Sequence, residues 1–396
     1  MKVKKIFVPL LISVMLIALT ACGSSSDPGG EEQVSTEADL PVSYELAADA
    51  QTRADDAYAF IAELKDAASA YDANAAKYSY TLNCHDPADS AVGEFLYAWS
   101  DAVLAATNGD VFIEVGVSNA FSAGGTMATL DDMKNGLIDF DFTLPCYFKG
   151  YMPYTLAIQN PALKIKNSTA GASAMWELYK NNTDVQAEYA DDGETLFVWA
   201  NNPSPLSYKG SAELSKISEV KGNIRANNGP AQMFVEQVGA SVYSCPIGEV
   251  YTNVSTGVIN YLVTDWHAVK SFSLYDSGVL DHYIDTNIGS SAYTLMANTD
   301  SWAAIEANGY ADAIKSVSGD YFLNWIGIWE QYEIDARETA TANGGDIYAP
   351  SGALAAELDA AYTAVATDWI AQTGGNAQAV YDQAASLVEK YNALYN

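Results

Sequence analysis

Apolar positions change their spacing several times along this chain, and each change marks an element. An uninterrupted apolar run from Ile6 to Leu19 follows three lysines, Lys2, Lys4 and Lys5. Residues 44–75 (YELAADAQTRADDAYAFIAELKDAASAYDANA) then place apolar side chains at helical spacing among Ala, Leu, Glu and Asp, which predicts one amphipathic helix or two. From there the period alternates. Residues 77–84 (KYSYTLNC) read as a strand, 89–109 as a helix stopped by Asn108-Gly109, 110–117 (DVFIEVGV) as a strand, 126–135 as a helix and 137–144 as a strand. The alternation continues to about residue 300. It gives way to a long helix over 319–345, dense in aromatics that read as core, and a final helical region from Leu354 to about Tyr395, broken near Gly374-Gly375. Alternating strand and helix units predict an α/β fold with parallel sheets covered by helices. A chain of 396 residues fits two domains, because single cores seldom grow past roughly 250 to 300 residues.

The pattern repeats itself once in detail. Residues 135–147 (NGLIDFDFTLPCY) and 256–268 (TGVINYLVTDWHA) share a helix end, a glycine suited to the left-handed position after it, an aliphatic strand start and a threonine. Gly136 matches Gly257, Asp139 matches Asn260 and Thr143 matches Thr264, each 121 residues on. Two lobes built from one αβ unit account for the echo; generic αβ grammar is the competing account. In open α/β sheets ligands collect beyond the carboxyl ends of strands. Both echoing strands would then end at one cleft, with 143–148 on one wall and 264–267 on the other, and Arg225 on a strand pointing into the same space.

Composition changes the picture at the N-terminus. Lysines, a short apolar segment and the sequence Leu19-Thr20-Ala21-Cys22 form a secretory signal with Cys22 where a lipoprotein peptidase leaves a lipidated cysteine. A membrane-spanning anchor is the alternative, but the run is short against the about 20 residues a span needs. Residues 22–43 read as a flexible tether. The expected location is the outer face of the cytoplasmic membrane, held by the lipid on Cys22. Loss of residues 1–21 removes three lysines and no acids, taking the net charge from −31 to −34. Such a surface repels nucleic acid and anionic lipid headgroups. With 49% hydrophobic residues the chain is nonetheless no disordered acidic tail.

Candidate chemistry is sparse. No GxSxG, HExxH or phosphate-binding glycine loop occurs, the three histidines (His85, His267, His282) lie far apart, and no CxxC pair exists, so neither a cofactor nor a metal is expected. Against 50 acids the chain has only three arginines, Arg53, Arg225 and Arg337. A guanidinium stays charged and offers a planar fork that fits a carboxylate through two hydrogen bonds. Arg225, in EVKGNIRANNGPAQMFVEQVGA (219–240), therefore reads either as a carboxylate clamp or as half of a structural ion pair. Around the expected cleft stand Asn83, His85, Tyr147, Phe148, Asn227, Thr264, Asp265 and Trp266, residue types that orient and enclose a small molecule. Two other classes stay open on these residues: a surface glycoside hydrolase using a carboxylate pair, or an adhesion or structural lipoprotein.

Several stretches carry a family resemblance: NCHDPADSAVGEFLYAWSDAVLAATNGDVFIEV, MATLDDMKNGLIDF and SEVKGNIRANNGPAQMFVEQVGASVYSCPIGEVYTNVSTGVINYLVTDWHAVKSFSLYD. Over roughly residues 78–370 the chain resembles the DctP-like solute-binding proteins of tripartite ATP-independent periplasmic (TRAP) transporters. The resemblance implies a two-lobed, type II periplasmic-binding-protein-like fold with an interlobe cleft and a long hinge helix. It assigns 44–75 to an N-terminal extension outside the usual core, 76–200 and 290–335 to lobe I, 201–289 to lobe II, 319–345 to the hinge helix and 346–396 to C-terminal helices packing across the lobes. It implies a receptor, not an enzyme, that closes on a small organic acid and passes it to TRAP permease subunits, acting as a monomer. At the matching positions Arg225 would clamp the carboxylate and Thr264 would add a polar contact. The strand order of such folds would also make Cys84 and Cys146 neighbours, giving a disulfide at the cleft mouth. The chain departs from the pattern in three places. Residues 196–210 lack a second arginine, Ile247 replaces an aromatic, and Gly124-Gly125-Thr126 replaces a Glu-Arg pair. Ligands that need two positive charges, such as dicarboxylates and sialic acid, are disfavoured.

Overall fold

The computed structural model describes residues 40–276 and 279–395. The signal segment, Cys22 and most of the expected tether lie outside the described residues. Among the described residues eleven strands form two sheets: β1 (Tyr78–Asn83), β2 (Val111–Gly116), β3 (Phe140–Thr143), β4 (Glu194–Ala200), β5 (Leu206–Tyr208), β6 (Asn223–Arg225), β7 (Ser241–Tyr243), β8 (Tyr261–Val263), β9 (His282–Ile284), β10 (Ala292–Ala297) and β11 (Asp346–Tyr348). The first sheet runs β2-β1-β3-β10-β4 and the second β11-β9-β5-β8-β6-β7.

The sheets are mixed where alternation alone predicts parallel. β1, β2 and β3 are parallel, as are β6, β7 and β8, but β10 runs antiparallel to β3 and β4, and β5 antiparallel to β8 and β9. The reason lies in two connections that carry no helix. The chain passes straight from β4 to β5 and returns from β9 to β10, so outgoing and returning strands pair head to tail. Asn201 N to Ser291 O (2.9 Å) and Ile288 N to Ser204 O (2.9 Å) tie the two crossings together.

The echo has a shared backbone. Gly136 (φ +70°) and Gly257 (φ +76°) both follow a short helix in the left-handed region, and in both cases the next residue's N–H bonds back around the helix end, Leu137 to Asp132 O and Val258 to Asn253 O. Each glycine delivers the chain into a strand, β3 or β8, whose end faces the same cleft.

One core lies around the first sheet and two smaller cores lie on the faces of the second. The extension forms the helix Ala50–Ala68, capped by Asp49 accepting from Thr52 N at 2.9 Å, and it buries Ala54, Ala57, Phe60 and Leu64 at 3–4 spacing. The long helix expected over 319–345 is split. Tight 3-10 turns over Gly319–Trp325 precede the helix Ile328–Ala342, because Phe322, Trp325 and Trp329 all turn inward beside Phe95. At the break, Gly327 is pressed on the first helix: a Cβ there would stand 2.3 Å from the Arg53 carbonyl. Of the C-terminal helices, Gly352–Thr373 packs on the helix Pro230–Gln237 and buries Leu358 and Tyr362 in a core of the second sheet, and Ala377–Leu394 packs on the helix Ser168–Asn181 and buries Val380 and Val388 in the core of the first. The three-residue β11, in a region expected to be helical, pairs with β9. Among the described residues no helix is long and apolar enough to cross a membrane.

Candidate functional site

Arg225 ends β6, flanked by β7 and β8. The chain just beyond β7 and the last residue of β8 each offer a backbone carbonyl to its side chain. Nε and Nη2 both donate to Cys245 O (3.3 and 3.1 Å), and Nη1 donates to Val263 O (3.5 Å). These bonds take the Nε/Nη2 edge and one contact of Nη1, and the guanidinium, with its outer Nη1/Nη2 fork, lines the cleft. The side chain is 1% exposed, and among the described residues no carboxylate lies within ion-pair distance of it. Burying a charge without a partner is costly. Here two peptide dipoles supply part of the compensation.

Around it lies a narrow slot with about 260 Å³ between its side chains, much of it too tight for more than a single water. A second space of about 280 Å³ adjoins it at Asn227, Thr264 and Ser291. Tyr147, Phe272, Tyr293, Leu144 and Ile247 supply apolar walls; His85, Asp86, Asp265 and His267 form a buried polar group. Larger hollows, near Arg337 and near Trp369, contain no part of this group.

The polar group sorts its charges by contact. Asp265 caps the helix Trp266–Ser271, accepting from Ala268 N at 3.1 Å, and its Oδ1 also lies 2.6 Å from His267 Nδ1. Burial alone would push the His267 pKa down, but Asp265 and then Asp86 outweigh it and raise it to about 9, so the imidazolium persists at neutral pH. Burial likewise opposes ionisation of Asp265, yet His267, the helix cap and Arg225 hold its carboxyl below the usual range. His85 goes the other way. Burial, helped by His267 and Arg225, depresses its pKa against the pull of Asp86, so it is neutral. Both cleft acids thus lie against His267, with Asp86 Oδ1 3.8 Å from its Nε2.

The walls meet through backbone. Asn228 N and Nδ2 donate to Cys146 O (3.1 and 2.9 Å) and Nδ2 to Tyr147 O (3.3 Å), joining the turn after β6 to the turn after β3.

A family model described as bacterial extracellular solute-binding protein, family 7 (DctP), matches residues 83–372. The chain belongs to this family. Among curated proteins, this family 7 protein is 24% identical over 295 residues to the outer membrane transporter protein TsaT of Comamonas testosteroni, covering 72% of this chain and 83% of that one. Its fold matches a marine metagenome TRAP solute-binding protein specific for aromatic acid ligands, solved with metahydroxyphenylacetate (TM-score 0.73, 22% identity, 80% of this chain and 99% of that one). It also matches one from Rhodoferax ferrireducens with copurified benzoate (0.70, 21%, 80% and 98%) and one from Bordetella bronchiseptica with mandelate (0.70, 21%, 79% and 99%). The two-lobed architecture and family expected from the sequence are those found.

In the family 7 cleft, six of the expected residues come together: Arg225, Asn227, Thr264, Asp265, Tyr147 and His85. Three do not. Asn83 is buried at the end of β1, where its Oδ1 accepts from Phe121 N (3.1 Å) and fixes the following loop. Phe148 turns edge-on to Tyr151, 5.9 Å between ring centres. Trp266 is core, stacked on Tyr283 with the Arg337 guanidinium 4.4 Å from its ring centre. Cys84, Cys146 and Cys245 are free and buried, so the expected Cys84–Cys146 disulfide is absent; Cys84 Sγ instead lies 3.7 Å from the Asp86 carbonyl. Sequence reasoning missed Asp86, Ser291, Tyr293 and Phe272. Asp86 carried a signal, as the immediate neighbour of His85. Ser291 and Tyr293 carried none, because they belong to the returning crossing, which no periodicity marks.

Proposed function

We propose that this family 7 receptor captures a small ring-bearing monocarboxylate in its interlobe cleft and delivers it to the membrane subunits of a TRAP transporter, while anchored outside the cytoplasmic membrane through a lipid on Cys22. One observation carries the reading: Arg225 is a fully buried cation, aimed by two peptide carbonyls, with no acidic partner among the described residues. A ligand carboxylate on the outer fork completes that pairing. The second lobe contributes no further arginine to the cleft, which favours one carboxylate over two. Tyr147, Phe272 and Tyr293 suit the face and edge of a ring, and the aromatic acids bound by the fold's relatives are of this class. The slot is too tight to admit such a molecule as it stands, so uptake requires the walls to part about the two crossings.

Long-range attraction does not help capture. The acidic surface repels anions, although salt screens it beyond about 8 to 10 Å, so affinity rests on the local, desolvated contact. A thermal-shift screen of the purified chain against mono- and dicarboxylates, keto acids, aromatic acids and sugar acids tests this, because a ligand that binds only the folded state raises its stability. A shift with aromatic monocarboxylates that disappears in Arg225→Ala and Arg225→Lys is expected. Undiminished binding by both variants removes Arg225 from its role. Metabolic labelling with a fatty acid, lost in Cys22→Ala, tests the anchor.

A further inference from the structure

The cleft holds a second buried group whose hydrogen bonding is incomplete. Asp86 follows β1, its side chain is 2% exposed, and it lines the slot that Arg225 enters. Its Oδ2 accepts no hydrogen bond; His85 Nε2 lies 3.1 Å away without the geometry of one. Its other oxygen, Oδ1, faces His267 Nε2 at 3.8 Å. The backbone around it is in order, since the Asp86 carbonyl accepts from Ser118 N at 2.8 Å and holds the residue in place. A carboxylate oxygen left unmatched in a buried site is costly, and it can only accept. Its complement is a donor.

Resting on the carboxylate reading above, we infer that Asp86 is a specificity-determining residue that accepts a hydrogen bond from a hydroxyl on the ligand, so the receptor selects hydroxylated acids over their deoxy counterparts. An amine is the other common donor, but this slot disfavours it. An ammonium would join two cations, Arg225 and the His267 imidazolium, in one buried space. A neutral O–H adds no charge. His85, neutral and 3.1 Å from Oδ2, provides a second hydrogen-bonding atom beside the same hydroxyl. Recognition is then two-point. The carboxylate meets Arg225 from the second sheet and the hydroxyl meets Asp86 from the first, so the preferred molecule spans both walls.

Calorimetric titration with matched acids separates these ideas: benzoate against 3-hydroxybenzoate, propionate against lactate, and phenylacetate against mandelate and phenylglycine. In the unaltered protein at least one hydroxylated acid binds about tenfold or more tightly than its deoxy partner. Asp86→Ala brings that ratio to about one. Asp86→Asn keeps the shape and a neutral acceptor, so it keeps a reduced ratio and guards against misfolding of the alanine variant, with thermal melts checking both. Equal binding of all partners, a ratio that survives Asp86→Ala, or phenylglycine as the tightest of its trio overturns the inference while leaving the carboxylate reading in place. Failure of every acid to bind overturns the carboxylate reading and this inference with it.

Discussion

Arg53 and Arg225 are each about 1% exposed, yet one guanidinium faces a carboxylate and the other faces peptide carbonyls. Arg53 makes a two-pronged pair with Glu330, Nε to Oε2 at 2.7 Å and Nη2 to Oε1 at 2.9 Å, and its Nη1 donates to the Ala47 and Ala48 carbonyls. Glu330 in turn receives Thr169 N at 3.3 Å, and every part of that network is satisfied from within the chain. In Arg225 the corresponding Nε/Nη2 edge is taken by the Cys245 carbonyl, and among the described residues no acid pairs with the guanidinium. Burial therefore does not separate these two arginines. Completeness of the partner set does.

The comparison breaks most sharply by truncation. Arg53→Ala leaves Glu330 buried without its cation and should cost about 3 to 5 kcal/mol of folding stability, read as a fall in melting temperature, with carboxylate affinity retained in the protein that remains folded. Arg225→Ala should do the reverse, costing about 2 to 5 kcal/mol of ligand affinity by calorimetry with a ligand-free melting temperature close to the parent's. If the two profiles coincide, the distinction between them is wrong. The double change Arg53→Met with Glu330→Leu should recover most of the loss of Arg53→Ala, since apolar replacement of a whole buried pair is often near neutral.

Smaller effects sharpen it. Gly327→Ala pushes a methyl toward the Arg53 carbonyl and should cost about 1 to 3 kcal/mol through overpacking, without changing affinity. His267 supplies a pH signature on the ligand side. Its folded pKa is raised to about 9 from an ordinary 6.5, so its contribution is full below about pH 6.5 and is lost as the pH climbs through 9. Melts from pH 6 to 10 should show that decline, and His267→Gln should flatten it. The smallest effect concerns the thiols. Cys84, Cys146 and Cys245 should resist alkylation in the folded state and all react after denaturation without reductant.

Arg225 was legible from its rarity and its strand-to-helix setting, and the lobe echo was legible because a left-handed glycine after a helix leaves a compositional mark. The three misplaced residues share a cause. Phe148 and Trp266 each stand directly beside a residue that lines the cleft and Asn83 two residues before one, and the turn at a strand end reorients side chains over such short distances in a way that spacing alone does not resolve. Asp86 carried only the signal of standing next to His85; its unmatched oxygen is a property of its surroundings and shows only in the geometry. The mixed sheets were hidden for another reason: crossings without a helix contain no change of period.

The turn after β6 places Asn228 three residues beyond Arg225, with its amide groups on the Cys146 and Tyr147 carbonyls of the opposite wall. The arginine and this catch thus sit three residues apart, one ending β6 and the other on the turn that follows. A ligand held on Arg225 would steady the catch as well, and parting the walls would disturb both. In kinetic terms the receptor's residence time would be governed by this loop, and exchanging the Asn228 side chain would shorten the hold on the cargo more than it slows its arrival.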